Sequence, residues 1–209
     1  MAILLGYTFT HTGAAVAWQS FSPSTGSDSV TKIFGGDTVV GSGTGYANTT
    51  ADFVFSNYET TTLTIQDGGV TCSHSMSNSA DMLELYVRVQ AGGPYYIARI
   101  EAGASAIKYY DGSTETQLGA SGSGYTYTGG PDFFTSELTA IGDQLTLTVN
   151  GSVVLTRTHT SITTAGKLRC ATRSNGSYNI DYVNFADTSA ASPVLSSPTA
   201  TVTGSQTAT

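Results

Sequence analysis

The tightest constraint on this chain is the run DQLTLTVNGSVVLTRT, beginning at Asp143. Leu145, Leu147 and Val149 alternate with polar residues, Asn150-Gly151 interrupts, and Val153 and Leu155 resume the alternation. Period two puts every second side chain on one face of a pleated strand. Asn-Gly is the strongest short-range hairpin signal, because a type I′ turn needs positive φ at both central residues. The run therefore predicts two antiparallel strands and a tight turn.

The same period recurs along the chain. Ile3, Leu5, Tyr7 and Phe9 form one alternating set, and Val16 and Trp18 begin another. Short apolar pairs, Ile33-Phe34 and Val39-Val40, sit between Gly-rich turns, and Phe53-x-Phe55 and Leu63-x-Ile65 read as two further strands before Asp67-Gly68. In MLELYVRVQ, Leu83, Leu85, Val87 and Val89 share one face, while Glu84, Tyr86 and Arg88 share the other, predicting one buried and one wetter face. YYIARIEAG and a hairpin turning at Asp111-Gly112 follow. Then come a Gly-rich loop from Ser121 to Pro131, Phe133-Phe134 and a short polar stretch, SELTAIGD. After the opening hairpin, KLRCATRS and YNIDYVNF complete the set. No segment beyond a few residues shows the 3.6-residue period of a helix.

The expected fold is all-β, with residues 1–187 as one sandwich, since β domains of about 200–250 residues often form single units. From Thr188 the composition turns to Thr, Ala, Ser and Pro, so 188–209 is expected to be a linker or the first strand of a further domain. Charged residues make up only 11% and the net charge is −7, which disfavours binding to a phosphate backbone. No apolar run approaches the roughly 20 residues that span a bilayer, and the N-terminus shows no basic, apolar secretory leader. Two cysteines, Cys72 and Cys170, do not make a disulfide framework and are expected as buried thiols.

LELYVRV followed by YYIARIEAG, the Asp-Gly hairpin, LTLTVNG, GKLR and IDYVNF together resemble the laminin-G-like, concanavalin A-like jelly-roll domains, with Asn150-Gly151, Gly166 and Asp181 at matching places. The likeness runs from about Met82 to Asp187. It implies two packed antiparallel sheets with an extended C-terminal tail. Combined with the bare N-terminus and the Thr/Ala/Pro tail, it also resembles bacteriophage particle proteins, the fibres and decorations of capsids and tails. That resemblance implies a non-catalytic adhesion or assembly module on the virion surface, made in the host cytoplasm. Its partners would be other particle proteins, cell-surface glycans and its own copies, with a trimer as the family-level guess. The alternative it implies is a carbohydrate-binding module or a glycan-active enzyme of the same fold.

Glycanases on this fold use paired carboxylates on one strand, but Asp81 and Glu84 are spaced to opposite faces, and Glu84 reads as a solvated strand residue. No catalytic residue is expected. His11, His74 and His159 lack ligand spacing and read as surface or capping histidines. No cofactor is expected; calcium is the one metal with candidate oxygen ligands, at Asp37, Asp67 and Asp187. The best lead is aromatic, because the C–H face of a sugar stacks on a flat ring. Tyr110, Tyr125, Tyr127 and Phe133, near loops, are the expected ligand-binding residues, set against the alternative that these rings belong to the core or to a subunit interface.

Overall fold

The alternating pattern becomes pleated strand in a computed structural model that describes residues 1–8, 16–17, 25–28, 30–35, 39–40, 54–76, 81–124, 133–174 and 178–188. The strands are β1 (Ala2–Thr8), β2 (Val16–Ala17), β3 (Val30–Gly35), β4 (Val39–Val40), β5 (Val54–Ile65), β6 (Gly68–Met76), β7 (Met82–Val89) and β8 (Tyr95–Glu101). They continue with β9 (Ala104–Tyr110), β10 (Glu115–Gln117), β11 (Phe133–Ile141), β12 (Gln144–Val149), β13 (Ser152–Thr158), β14 (Gly166–Ser174) and β15 (Tyr178–Asp187). No described residue is helical. β2 and β4 pair with each other as a separate antiparallel ribbon, while two large sheets form the sandwich, one of six strands in the order β1-β15-β6-β11-β12-β13 and one of seven in the order β10-β9-β8-β7-β14-β5-β3. All their pairings are antiparallel, as the jelly-roll expectation requires.

The two sheets bury one dry layer between them. Val70, Leu138 and Val183 from the six-stranded sheet meet Leu83, Leu85, Ala98, Ile100 and Ile107 from the seven-stranded one, all fully buried. Each such aliphatic side chain larger than Ala contributes roughly 1.5–3 kcal/mol on leaving water. Cys72 and Cys170 are buried in this layer on opposite sheets and form no disulfide. The Asn150-Gly151 turn has φ of 50° and 76°, and Asn150 ties it to β11 by donating its N–H to Thr135 O at 2.8 Å. β15 ends at Asp187, where Thr188 donates its N–H to Asp67 O; residues 189–209, with Phe9, Trp18 and Phe53, lie outside the described residues.

Four features depart from the sequence reading. The two strands expected around Phe55 and Leu63 are one 12-residue strand, β5. A bulge lets it stay paired: Arg169 sits opposite Glu59 but Lys167 opposite Thr64. Asp28 accepts the Thr62 and Leu63 N–H groups at 3.2 and 2.8 Å, which supplies the acceptors that the bulged backbone loses. The polar stretch SELTAI is the strand β11, flanked by β6 and β12, with Leu138 and Ala140 turned into the core. β7 is buried on both faces, not one, because it is the fourth of seven strands and its outer side chains cover one another. His74 is not at the surface: it is fully buried on β6, with Nε2 2.9 Å from the Ser136 hydroxyl.

Arg88 closes the end of β7. It is 1% exposed and sits at φ 54°, a conformation that costs a non-glycine residue roughly 1–2 kcal/mol. Its guanidinium repays this by donating to Gln66 O (2.8 Å), Ile162 O (2.6 Å), Gly142 O (2.6 Å) and Asp67 Oδ1 (3.1 Å). Three loops are thus held by one side chain. Replacing it by Met strands those acceptors, at about 1–3 kcal/mol for each that water cannot reach. The expected loss of at least about 3 kcal/mol lowers Tm by about 6–12 °C in a domain of this size. Arg88→Lys recovers less than half, since an ammonium cannot reach in those directions together. Urea unfolding checks this, and an Arg88→Met loss below about 0.5 kcal/mol, as for a surface site, refutes it.

Burial lowers the His74 pKa from 6.5 to about 3, so the folded chain holds the ring neutral while the unfolded chain takes up the proton first. The stabilisation is complete above pH 6.5 and is lost as the pH falls toward 3, at up to about 1.4 kcal/mol per pH unit. A His74→Gln variant, read by urea unfolding at a series of pH values, is expected to show a shallower acid slope than wild type. Parallel slopes would show that other groups set it.

Candidate functional site

The residues singled out from sequence do not gather in one place. Tyr110 ends β9 in the seven-stranded sheet, whereas Phe133 begins β11 in the six-stranded sheet, opposite Ser75. Tyr125 and Tyr127 lie outside the described residues, as does Asp37. Tyr110 has aromatic company that the sequence reading missed. Its ring stacks on Tyr95 with centroids 4.7 Å apart and planes 22° apart, and Tyr95 meets Tyr86 edge-on at 5.1 Å.

These rings lie on the outer face of the seven-stranded sheet, turned away from the sandwich interior. Period two explains the placement: Leu85 and Val87 enter the core from β7, so Glu84 and Tyr86 point outward, and on β8 Tyr96 and Ala98 enter, so Tyr95, Ile97 and Arg99 point outward. Register then lines up Glu59, Arg169, Tyr86, Ile97, Lys108 and Gln117 across six strands. Tyr86, Val89, Ile97 and Ala171 form a small buried apolar cluster of their own, with Tyr95 packed against it. The Arg169 guanidinium carbon lies 5.1 Å from the Tyr86 centroid and 5.8 Å from that of Tyr95, within cation–π range.

Charges on this face come in opposed sets. Glu84, expected as a solvated residue, is 3% exposed. Its Oε1 accepts from Arg99 Nε at 2.7 Å and its Oε2 from the Tyr86 hydroxyl at 2.6 Å. Glu115 Oε1 lies 2.7 Å from Lys108 Nζ and 3.4 Å from Arg99 Nη2. At the other side Glu59 holds Lys167 through Oε1 and Arg169 through Oε2. Burial, with the Glu84 carboxylate second, pushes the Tyr86 phenol well above its ordinary value, so its proton stays in place as the donor to Glu84. Tyr95 is raised by burial and then by Glu115. Burial opposes the Arg99 charge, but Glu84 and Glu115 outweigh it and raise its pKa.

Two cavities open on the same face. One of about 130 Å³ is lined by Arg99, Glu101, Lys108, Gln117 and Ser121, and another of about 300 Å³ by Glu59, Gln90, Gly92, Lys167 and Arg169. The tyrosine row lies between them. The arrangement offers flat rings, fixed donors and fixed acceptors, the equipment for holding a polyhydroxylated ligand. No group of three potential metal ligands occurs among the described residues, and Asp67 Oδ1 already accepts from Arg88 and from the Gly142 N–H at 2.9 Å. His159 packs its ring 4.6 Å from Tyr109, with Nδ1 3.2 Å from the Tyr96 hydroxyl, apart from this face.

No protein-family model and no curated protein sequence matches the chain. Among solved structures it is similar to the potassium-bound Emp46p carbohydrate recognition domain, with 12% identity and a TM-score of 0.53 over 65% of this chain and 79% of that one. It is also similar to carbohydrate-binding module CBM66 from Bacillus subtilis, with 12% identity and a TM-score of 0.52 over 76% and 92% of the two chains. A native glycosidic hydrolase aligns at 11% identity and a TM-score of 0.52, over 89% of this chain and 97% of its own. Identity this low speaks for architecture, and the architecture is that of a concanavalin A-like jelly roll.

Proposed function

We propose that the chain binds glycans, without catalysis, on the outer face of its seven-stranded sheet. The observation that carries the reading is the row Tyr86, Tyr95 and Tyr110 set between two cavities whose charged side chains are already fixed in place by one another. Rings stack on sugar C–H faces, and prefixed donors and acceptors bind hydroxyls at little further cost in side-chain freedom. Two proteins of similar fold are carbohydrate-binding by name and a third is a glycosidic hydrolase, so the choice between binding and hydrolysis falls to this chain's own carboxylates.

Glycoside hydrolysis needs two carboxyl groups flanking the scissile bond, about 5–5.5 Å or 6.5–9.5 Å apart, one of them able to give a proton to the leaving oxygen. Both oxygens of Glu84 are engaged by Arg99 and Tyr86, and both oxygens of Glu59 by Lys167 and Arg169. Such carboxylates act as struts. The particle-surface setting, as a fibre or decoration module in a homo-oligomer, is a proposal supported by the sequence resemblance, and imaging of an intact particle tests it.

Tyr95→Ala is expected to weaken binding of whichever oligosaccharide a glycan screen identifies by about three- to tenfold, the worth of one aromatic contact. Val153→Ala, at an exposed site on the other sheet, leaves it unchanged. Titration calorimetry checks both, and equal affinities for wild type and Tyr95→Ala would remove this face from the account. Incubation with the same ligand is expected to release no reducing ends; release that Glu84→Gln abolishes would establish the hydrolytic alternative.

A further inference from the structure

The two cavities differ in charge, and the difference indicates what kind of sugar the face takes. Around the smaller one, Arg99 and Lys108 are matched by Glu84 and Glu115, and Glu101 adds a further carboxylate to the lining. Around the larger one, Lys167 and Arg169 share the single carboxylate of Glu59, with Lys167 Nζ 3.2 Å from Oε1 and Arg169 Nε 3.2 Å from Oε2. One positive charge is left without a counter-charge in that lining. We infer that the bound glycan carries an anionic oxygen substituent, a carboxylate or a sulfate ester, seated in the larger cavity against the exposed Lys167 ammonium, beside the Glu59 carboxylate that bridges Lys167 and Arg169.

Three further observations bear on this. Arg169 is held over the Tyr86 and Tyr95 rings and by Glu59, which takes its Nε and Nη2, so the guanidinium is positioned before a ligand arrives and its Nη1 donors are the ones directed to a carboxylate or sulfate. The Lys167 side chain is 38% exposed, so its ammonium keeps access to solvent and to a ligand while it leans on Glu59. Tyr95 lies beside the cavity, wedged between Tyr110 and Arg169, so a sugar would pack against the uncovered rim of the Tyr95–Tyr110 stack while its charged substituent reached Lys167. The chain as a whole carries −7, which repels anions at a distance. Screening over about 8 Å at physiological ionic strength confines that repulsion, and two cations at contact distance prevail over it. This inference rests on the glycan-binding reading and names its ligand class.

The test is calorimetric titration of the full chain with three oligosaccharides of equal length: a neutral one, one containing a uronic acid and one bearing a sulfate ester. At least one acidic ligand is expected to bind about tenfold more tightly than the neutral one, and more weakly as salt is raised. A preference for the uronate identifies a carboxylate, and a preference for the sulfated ligand identifies a sulfate ester. Lys167→Gln is expected to remove most of that preference, weakening the acidic ligand by several-fold more than the neutral one. Glu59→Gln, which releases both cations, is expected to enlarge it, with thermal melts confirming that both variants fold.

Equal affinity for all three ligands, with Tyr95→Ala still weakening each, overturns the anionic assignment and leaves the glycan-binding reading standing. No binding to any ligand overturns both. Competition by free sulfate as effective as that of the acidic sugar would make the cavity a general anion site and overturn the sugar assignment.

Discussion

A strand buried on both faces must find a partner for every polar atom it carries, and β7 carries Glu84 and Tyr86 on the side turned away from the core and Arg88 at its end, where the register shifts and the side chain turns toward the loops of the facing sheet. Its inner face asks nothing unusual: Leu83, Leu85 and Val87 enter the dry layer between the sheets. Its outer face dictates much of what surrounds it. Glu84 takes Arg99 from β8, and Tyr86 donates its hydroxyl hydrogen bond to Glu84 and offers its ring to Arg169 of β14; Arg88, past the register shift, reaches the carbonyls of three loops. The sandwich edge, the aromatic row and the ion pairs are consequences of one strand lying at the centre of a seven-stranded sheet.

The same condition shapes the working surface. Large side chains that satisfy one another in place are rigid, and a rigid face loses little freedom on meeting a ligand. Tyr95 and Tyr110, farther from the centre, are only partly covered and present ring surface. The cavities lie where the mutual covering ends, toward β10 on one side and at the β7–β8 turn on the other. Carboxylates here fix the geometry of cations, which is a different task from transferring protons.

Some of this was open to a reader of the chain. The Asn150-Gly151 hairpin, the alternation on β8, on β12 and on β7 as far as Val87, and the Asp111-Gly112 turn were visible because each depends on neighbours in sequence. A register shift at Arg88 then moves Val89 to the outer face with Tyr86, against the reading that grouped it with Val87. β11 was obscured by Ser136, Glu137 and Thr139, whose polar character reflects exposure or hydrogen bonding between β6 and β12 and says little about strand formation. β5 looked like two strands because its bulge breaks the period, and the repair comes from Asp28, 34 and 35 residues away. His74 looked like a surface residue because imidazole is usually at least partly exposed, and nothing near it in the sequence announces Ser136 as its partner.

Of the site, the sequence offered Tyr110 and the principle that aromatic residues mattered; Phe133 went to the other sheet. By itself the sequence determined that the chain forms many short strands with turns at Asn-Gly and Asp-Gly, since backbone preference and side-chain alternation act over a few residues. Only the tertiary structure decided that Glu59 would meet Arg169, 110 residues on, and that Tyr86, Tyr95 and Tyr110 would form one row. Strand order and register arise from pairing between distant segments, and a local pattern reveals which side chains share a face without revealing which faces adjoin.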